Sequence, residues 1–295
     1  MVRAIRGAAA VLLALVLLPA CGGGGSGSAK KVVVGSANFP ENQLLAEMYA
    51  QALEAKGITV DRKFNIGARE VTFKQISSGG LSVLPEYNGA LLAYLDKAST
   101  ATSTADVNAA VKAKLPTSLT ILDSAQAEDK DSLNVTKATA DKYSLKTIDD
   151  LRPVAGQLIV GGPPEFKTRQ QGIVGLKSQY GLEFKEFRSL DTAGPVTVAA
   201  LQKGDIQVAN LFTTDPAIVV NGFVVLDDTK NLFSSQNVTP LINKAAVDAT
   251  AQGALNAVSA KLDTTTLTQL MRKLAVDKQD PDKVAKDWLK SAGLV

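Results

Sequence analysis

The sequence predicts a two-lobed α/β clamp in which each lobe is a small doubly wound sheet. Three observations carry this. Short apolar runs alternate with amphipathic helical segments in two successive cycles, within residues 31–95 and 158–226. That alternation implies parallel strands joined by crossover helices. A charged stretch at 123–132 separates the cycles and reads as a crossover between lobes. Glycine- and proline-bearing turns follow the apolar runs at 36–40, 65–69, 85–89, 161–169 and 210–215, and in open sheets such turns surround one ligand cleft.

The first run, KVVVG at 31–35, is apolar throughout, as a strand buried on both faces must be. After the turn SANFP, the residues Leu44, Leu45, Met48, Tyr49, Ala52 and Leu53 recur at helical spacing, and Gly57 stops the helix. Residues 58–64 give a second strand. Gly67-Ala68-Arg69-Glu70 opens a second helix, with Val71, Phe73 and Ile76 as its apolar residues and Gly79-Gly80 as its end. A third strand is expected at 81–84, followed by the turn Pro85-Glu86-Tyr87-Asn88-Gly89 and a short helix through Leu91, Leu92 and Leu95. The βαβαβ order predicts a parallel sheet. A polar loop at 99–104 precedes a helix at 105–114 and a strand at 119–122.

The crossover leads into 133–136, and the second half then has an amphipathic turn at 146–151 and strands at 158–160, 183–187, 206–212 and 223–226. Helices are expected between them at 166–180, 193–203 and 214–220, with Gly181 and Gly204 where C-caps are wanted. Asp215-Pro216 is a helix-start pair, so Asp215 reads as structural. A return loop at 227–238 and an apolar run at 239–242 lead into helices at 243–260, 264–277 and 281–291, the last with Asp280 as N-cap before Pro281.

Composition removes several chemistries. The 295 residues include no His and one Cys. The usual general base, the Ser-His-Asp triad, a Cys cluster for metal and an intrachain disulfide are all excluded. The G-x-x-x-x-G-K phosphate loop is absent as well. No cofactor and no metal is expected, and catalysis is left only a carboxylate pair. The first 21 residues read as a lipoprotein signal: Arg3 and Arg6, an apolar stretch at 8–18 too short to span a bilayer, then Leu18-Pro19-Ala20-Cys21. Cys21 is the expected lipidation site, and residues 22–30 a Gly/Ser-rich tether. The expected location is the extracytoplasmic face of the cell membrane, through the lipid anchor. Removing Arg3 and Arg6 leaves 30 basic against 29 acidic side chains, so nothing argues for nucleic acid. A monomer is the default.

The stretch Gly161-Gly162-Pro163-Pro164-Glu165-Phe166-Lys167-Thr168-Arg169 lies between a strand and a helix. Its glycines allow close backbone approach, a helix start favours negative charge, and Arg169 offers a planar fork for a carboxylate. The ordinary alternative is a surface turn whose Arg pairs with a nearby acid.

Residues 31–292 resemble the substrate-binding proteins of osmoprotectant ABC importers, which capture glycine betaine, choline and related quaternary ammonium compounds. The resemblance is carried by Val34-Gly35-Ser36 with Phe39 and Glu41, by 85–89, by 136–151, and by Glu165-Phe166 with Arg169 and Gly175-Leu176. It continues through 184–191, 201–205, Phe212-Thr213-Thr214-Asp215 and 224–228. It implies a type II periplasmic-binding-protein-like clamp with two crossing hinge segments. Lobe 1 would be 31–127 with 233–295, and lobe 2 would be 128–232. The ligand, a small-molecule solute, would be passed to membrane permease and ATPase subunits.

In that family an aromatic box holds the trimethylammonium head by cation–π attraction, and an Arg holds the betaine carboxylate. Tyr87 stands at a box tyrosine, Arg169 at the carboxylate-binding arginine, and Phe212 where the family often has Tyr. Two further box positions, near 129–132 and 236–237, are polar here. Phe39 offers a third ring, while Asn38, Thr213, Asp131 and Gln236 offer polar contacts. Asp129 and Asp131 otherwise read as solvated charges, and Arg69 as the partner of an acid. The depleted box leaves a neutral polar or aromatic solute as the alternative ligand. A sensor that transports nothing, or an enzyme, ranks below both.

Overall fold

The computed structural model describes residues 31–295; the expected signal, Cys21 and the tether lie outside the described residues. The chain opens with β1 (Val32–Gly35), α1 (Pro40–Glu54), β2 (Val60–Lys63), α2 (Arg69–Ser77), β3 (Val83–Tyr87), α3 (Asn88–Leu95), α4 (Thr104–Lys114) and β4 (Leu119–Ile121). It continues through β5 (Asp131–Val135), α5 (Lys137–Tyr143), β6 (Ile159–Gly162), α6 (Ile173–Tyr180), β7 (Glu186–Ser189), α7 (Pro195–Lys203), β8 (Val208–Phe212), α8 (Pro216–Val220) and β9 (Val224–Val225). It closes with β10 (Val238–Asn243), α9 (Ala249–Lys261), α10 (Thr264–Ala275) and α11 (Pro281–Ser291).

Two five-stranded sheets result, ordered β2-β1-β3-β10-β4 and β7-β6-β8-β5-β9. Each is covered on both faces. In the first, α1, α9 and α11 bury Leu44, Met48, Leu255 and Leu289 on one side. Residues Ile76, Leu91, Val107 and Val111 of α2, α3 and α4 cover the other. In the second, Leu176 and Tyr180 of α6 pack one face, and Leu201 and Ile218 of α7 and α8 the other. No helix among the described residues is long and apolar enough to cross a membrane.

The sheets are mixed, where the element order alone predicts parallel ones. β1, β2 and β3 are parallel, but β10 runs antiparallel to β3 and to β4. In the second sheet β5 runs antiparallel to β8 and β9. The reason is that the chain crosses between sheets twice, and each crossing strand enters its sheet from the cleft end. Strand β3 also runs on through Pro85 to Tyr87, where the sequence suggests a turn. Pro85 faces Pro240 across the ladder. The bond from Asn88 N to Asn237 O at 3.1 Å fixes the alternation, so the proline pair occupies a position where neither strand needs the other's N–H.

Other differences are local. The helix expected over 166–180 splits into a 3₁₀ turn, Pro164–Lys167, and α6. A Cβ on Gly172 would meet the Phe166 carbonyl oxygen at 2.1 Å, so the chain doubles back there instead of continuing helically. Strand β7 begins three residues later than expected, β5 is a strand where the sequence reads only a crossover, α5 is an unforeseen helix capped by Thr136, and α9 starts only after the Asp248 cap. Asp280 occupies the N-cap of α11 without a side-chain capping bond. Gly181 and Gly204 do close their helices, at φ 68° and 76°. Asp215 caps α8 through Ala217 N.

Leu232 and Phe233 pack in the second core, so the return passage begins after Phe233. Asp228 anchors that end: it accepts from Leu232 N at 3.1 Å, from Phe233 N at 2.7 Å, and from the Tyr180 hydroxyl. Asp228→Ala leaves two backbone donors and a phenol without their acceptor. It is expected to cost about 3–5 kcal/mol, read as a lower midpoint in urea denaturation; a shift under about 1 kcal/mol would show that water replaces the carboxylate.

Candidate functional site

The strand ends of both sheets meet at one cavity of about 50 Å³, room for a few water molecules. The first sheet contributes the turn after β1, with Ala37, Asn38 and Phe39, and the end of β3 with Glu86 and Tyr87. The second contributes Asp131 at the start of β5, Phe212 at the end of β8, and Glu165, Arg169 and Thr192. The crossing segments add Asp129 and Gln236. Asn42 fixes the first turn: its side chain accepts from Ala37 N at 2.7 Å and donates to the Pro85 carbonyl at 3.0 Å.

Three rings stand together. The Phe39 centroid lies 6.1 Å from that of Tyr87 and 5.1 Å from that of Phe212. Phe39 and Tyr87 come from the first sheet and Phe212 from the second, so the cluster is complete only with the two sheets together. The Tyr87 hydroxyl donates to Glu41 Oε1 at 2.7 Å, and Thr214 Oγ1 donates to Glu41 Oε2 at 2.5 Å. Burial and the adjacent Glu41 carboxylate hold the Tyr87 phenol well above its ordinary range.

Both arginines of the cavity are paired. Arg69 donates from Nε and Nη2 to Glu86, with contacts of 2.9–3.1 Å, and the pair is buried. This is the acid partnership its sequence position suggests. Arg169 donates to Glu70 of the first sheet's α2, at 3.1 Å from Nε and 2.9 Å from Nη2, and lies 4.0 Å from Glu165. Burial pushes the Glu70 carboxyl up, but its hydrogen bond and attraction to Arg169 outweigh that and hold it below its ordinary range. Arg169 thus follows the ordinary alternative of an acid partner, with the acid supplied by the other lobe. It stands before α6, which starts at Ile173, so the helix N-terminus is set apart from the Arg169 fork. The two glycines of that stretch are explained by packing. A Cβ on Gly161 would meet Ile206 at 2.6 Å, and one on Gly162 would meet Asn210 at 3.1 Å.

The two acids read as solvated charges are not on an open surface. Asp129 is 2% exposed and accepts from Thr214 N at 3.0 Å. Asp131 lines the cavity and accepts from Asn210 Nδ2 at 2.9 Å. Burial raises both carboxyls, with the Glu41 charge adding to the effect on Asp129. Of the other sequence candidates, Asn38 and Gln236 line the cavity, while Thr213 is exposed outside it and bonds Asp129 and Lys130. Asn237 serves the crossing, donating to the Ala125 carbonyl at 2.9 Å. Glu86, Glu165 and Thr192 also line the site; Glu86 and Glu165 lie in turns that the sequence places at the cleft, while Thr192 lies in none of them. Among the described residues no His/Cys/Asp/Glu group could hold a metal ion.

Two mixed sheets, a cleft at their facing strand ends and a ring cluster drawn from both define a two-lobed solute-binding protein. The chain belongs to the family described as the substrate binding domain of ABC-type glycine betaine transport systems, whose model matches residues 30–291. It is 29% identical to the glycine betaine-binding protein YehZ of Escherichia coli K12, over 89% of this chain and 90% of that one. It is 24% identical to the ergothioneine transport permease/binding protein EgtU of Helicobacter pylori, over 90% of this chain and 48% of that longer protein. The fold superposes on a glycine betaine/carnitine/choline ABC transporter structure with a TM-score of 0.69 at 23% identity, covering 89% of this chain and 99% of that one. Lactococcal OpuAC, closed on glycine betaine, gives 0.64 at 16% identity, with 90% and 96% covered. The chain is therefore the solute-binding component of an ABC osmoprotectant uptake system. It binds a small-molecule solute and works with a permease and an ATPase, and its family is extracytoplasmic.

Proposed function

We propose that this chain is a monomeric lipoprotein, anchored through Cys21, that captures a quaternary ammonium solute such as glycine betaine or choline and closes its two lobes around it. The observation that supports this best is the cluster of Phe39, Tyr87 and Phe212 beside buried acids. A quaternary ammonium has no N–H to donate, so π-faces and acidic oxygens are what can recognise it. In this reading the rings take the head group, with Asn38, Asp131 and Gln236 as polar contacts. Arg169 exchanges Glu70 for a ligand carboxylate when one is present. Closure shifts a pre-existing equilibrium, because the solute touches both lobes only when they are together. The relatives named for glycine betaine are consistent with the reading.

A second reading follows from the pairing of both arginines. With Arg69 on Glu86 and Arg169 on Glu70, a zwitterion finds no free guanidinium. A neutral polar or aromatic solute would not need one. Calorimetric titration of the chain from Lys30 onward with glycine betaine, choline, carnitine and proline betaine separates the two. Micromolar binding of any one is expected. Silence across the panel in a cooperatively melting protein would overturn the quaternary-ammonium reading and favour the second.

A further inference from the structure

We propose that Glu41 and Asp129 share one proton and together form the tie that positions the ring wall and couples lobe closure to proton uptake. Glu41 is a positioning residue, since it is not among the residues lining the cavity. It is 2% exposed, at the start of α1, and its two oxygens are spent on different lobes. One accepts from the Tyr87 hydroxyl at 2.7 Å, and the other accepts from Thr214 Oγ1 of the second sheet's β8–α8 turn at 2.5 Å. Asp129, on the outward crossing segment, accepts from the backbone N–H of the same Thr214 at 3.0 Å. The two carboxyls therefore converge on one residue, two positions beyond Phe212 in the chain.

Among the described residues no cation is paired with them, and Lys130, next to Asp129 in the chain, is held by Glu128. The titratable groups that act on the pair are Tyr87 from β3 and Asp215 from the α8 cap, and the cavity acid Asp131 lies two residues from Asp129 in the chain. Arg69 and Arg169 are engaged by Glu86 and Glu70. Lys278, in the groove that Glu41 also lines, donates to the Ala275 carbonyl. Two buried carboxyls this close cannot both ionise, so one keeps its proton. Burial raises both, in agreement with that geometry.

The consequence follows with a definite sign. When the lobes part, the Thr214 donors leave, which favours the protonated form, but water returns to both carboxyls; burial is the larger influence on each, so the pair ionises more readily. Closure then takes up a proton in the window above the ordinary carboxylate range of about 4. The closed form binds more protons than the open form. Affinity therefore rises as pH falls through that window, by up to about tenfold per pH unit, and fades as pH rises.

The inference concerns the same site as the proposed function, so the experiment has one arm that needs no ligand. An infrared spectrum of the chain from Lys30 onward in heavy-water buffer near neutral pH is expected to show the carbonyl band of a protonated carboxylic acid, absent from Glu41→Gln. Identical carboxylic-acid regions in the two proteins would overturn the shared proton, whatever the protein binds. The second arm titrates glycine betaine and choline between pH 5 and 8 in buffers of different ionisation enthalpy. Wild type is expected to take up a fraction of a proton on binding, and Glu41→Gln none. Binding without proton uptake in wild type overturns the coupling. No binding of either probe would count against the quaternary-ammonium reading instead, and the infrared arm would still decide the pair.

Discussion

Tyr87→Ala is expected to weaken capture of glycine betaine or choline at least tenfold. The side chain contributes in two ways. Its ring stands 6.1 Å from Phe39 and forms one wall of the three-ring cluster, and its hydroxyl ties that wall to Glu41. Losing a ring from a dry cation site forgoes about 0.5–2 kcal/mol. Loosening of Phe39, which loses a ring neighbour, adds to this, and about 1.4 kcal/mol already makes a tenfold change. Tyr87→Phe separates the two contributions. It keeps the π-face and removes only the bond to Glu41, so its loss is expected to stay within about threefold. Calorimetric titration of both variants, with thermal melts to show that they fold, reads the difference. Equal losses in the two would place the effect in the hydroxyl and remove Tyr87 as a ring contact.

Gly89→Ala is expected to lower both stability and affinity. A Cβ there would stand 2.0 Å from the Ser235 carbonyl oxygen and 2.9 Å from Ser234 Oγ, on the return crossing segment. Backbone cannot yield as a flexible side chain does, so the segment must move. Overpacking of this kind costs about 1–3 kcal/mol, or roughly 3–10 °C in melting temperature. The displaced segment carries Gln236 and the Asn88–Asn237 pairing that fix how the lobes meet, so ligand affinity should fall with it. Gly253→Ala in α9 is the control: nothing lies within 4 Å of its added methyl, and alanine there is expected to stabilise the helix by about 0.5–1 kcal/mol. Unchanged melting and affinity in Gly89→Ala would show that the crossing segment is slack.

The alternation of apolar runs and helical spacing was enough to read nearly every element, because a strand buried on both faces must be apolar throughout and a helix must bury one stripe. It also located the cleft, since ligands in open sheets sit at strand ends. Tyr87, Phe39 and Phe212 were legible as rings at such ends. Local pattern carries no information on strand direction between distant segments. The antiparallel β10 and β5 were therefore invisible, and so was the continuation of β3 through Pro85, which depends on facing Pro240.

The site divides in the same way. Residue type and turn position by themselves determined that this chain has rings, an arginine and acids to offer a solute, and the missing His removed most catalysis. Only the tertiary structure decided their states. Arg169 meets Glu70, ninety-nine residues away in the chain, and Asp129 leaves water to face Glu41. A charge run looks solvated in sequence because nothing local reveals burial. Ionisation and pairing depend on solvent and on partners brought from the other lobe, and those are properties of the folded whole.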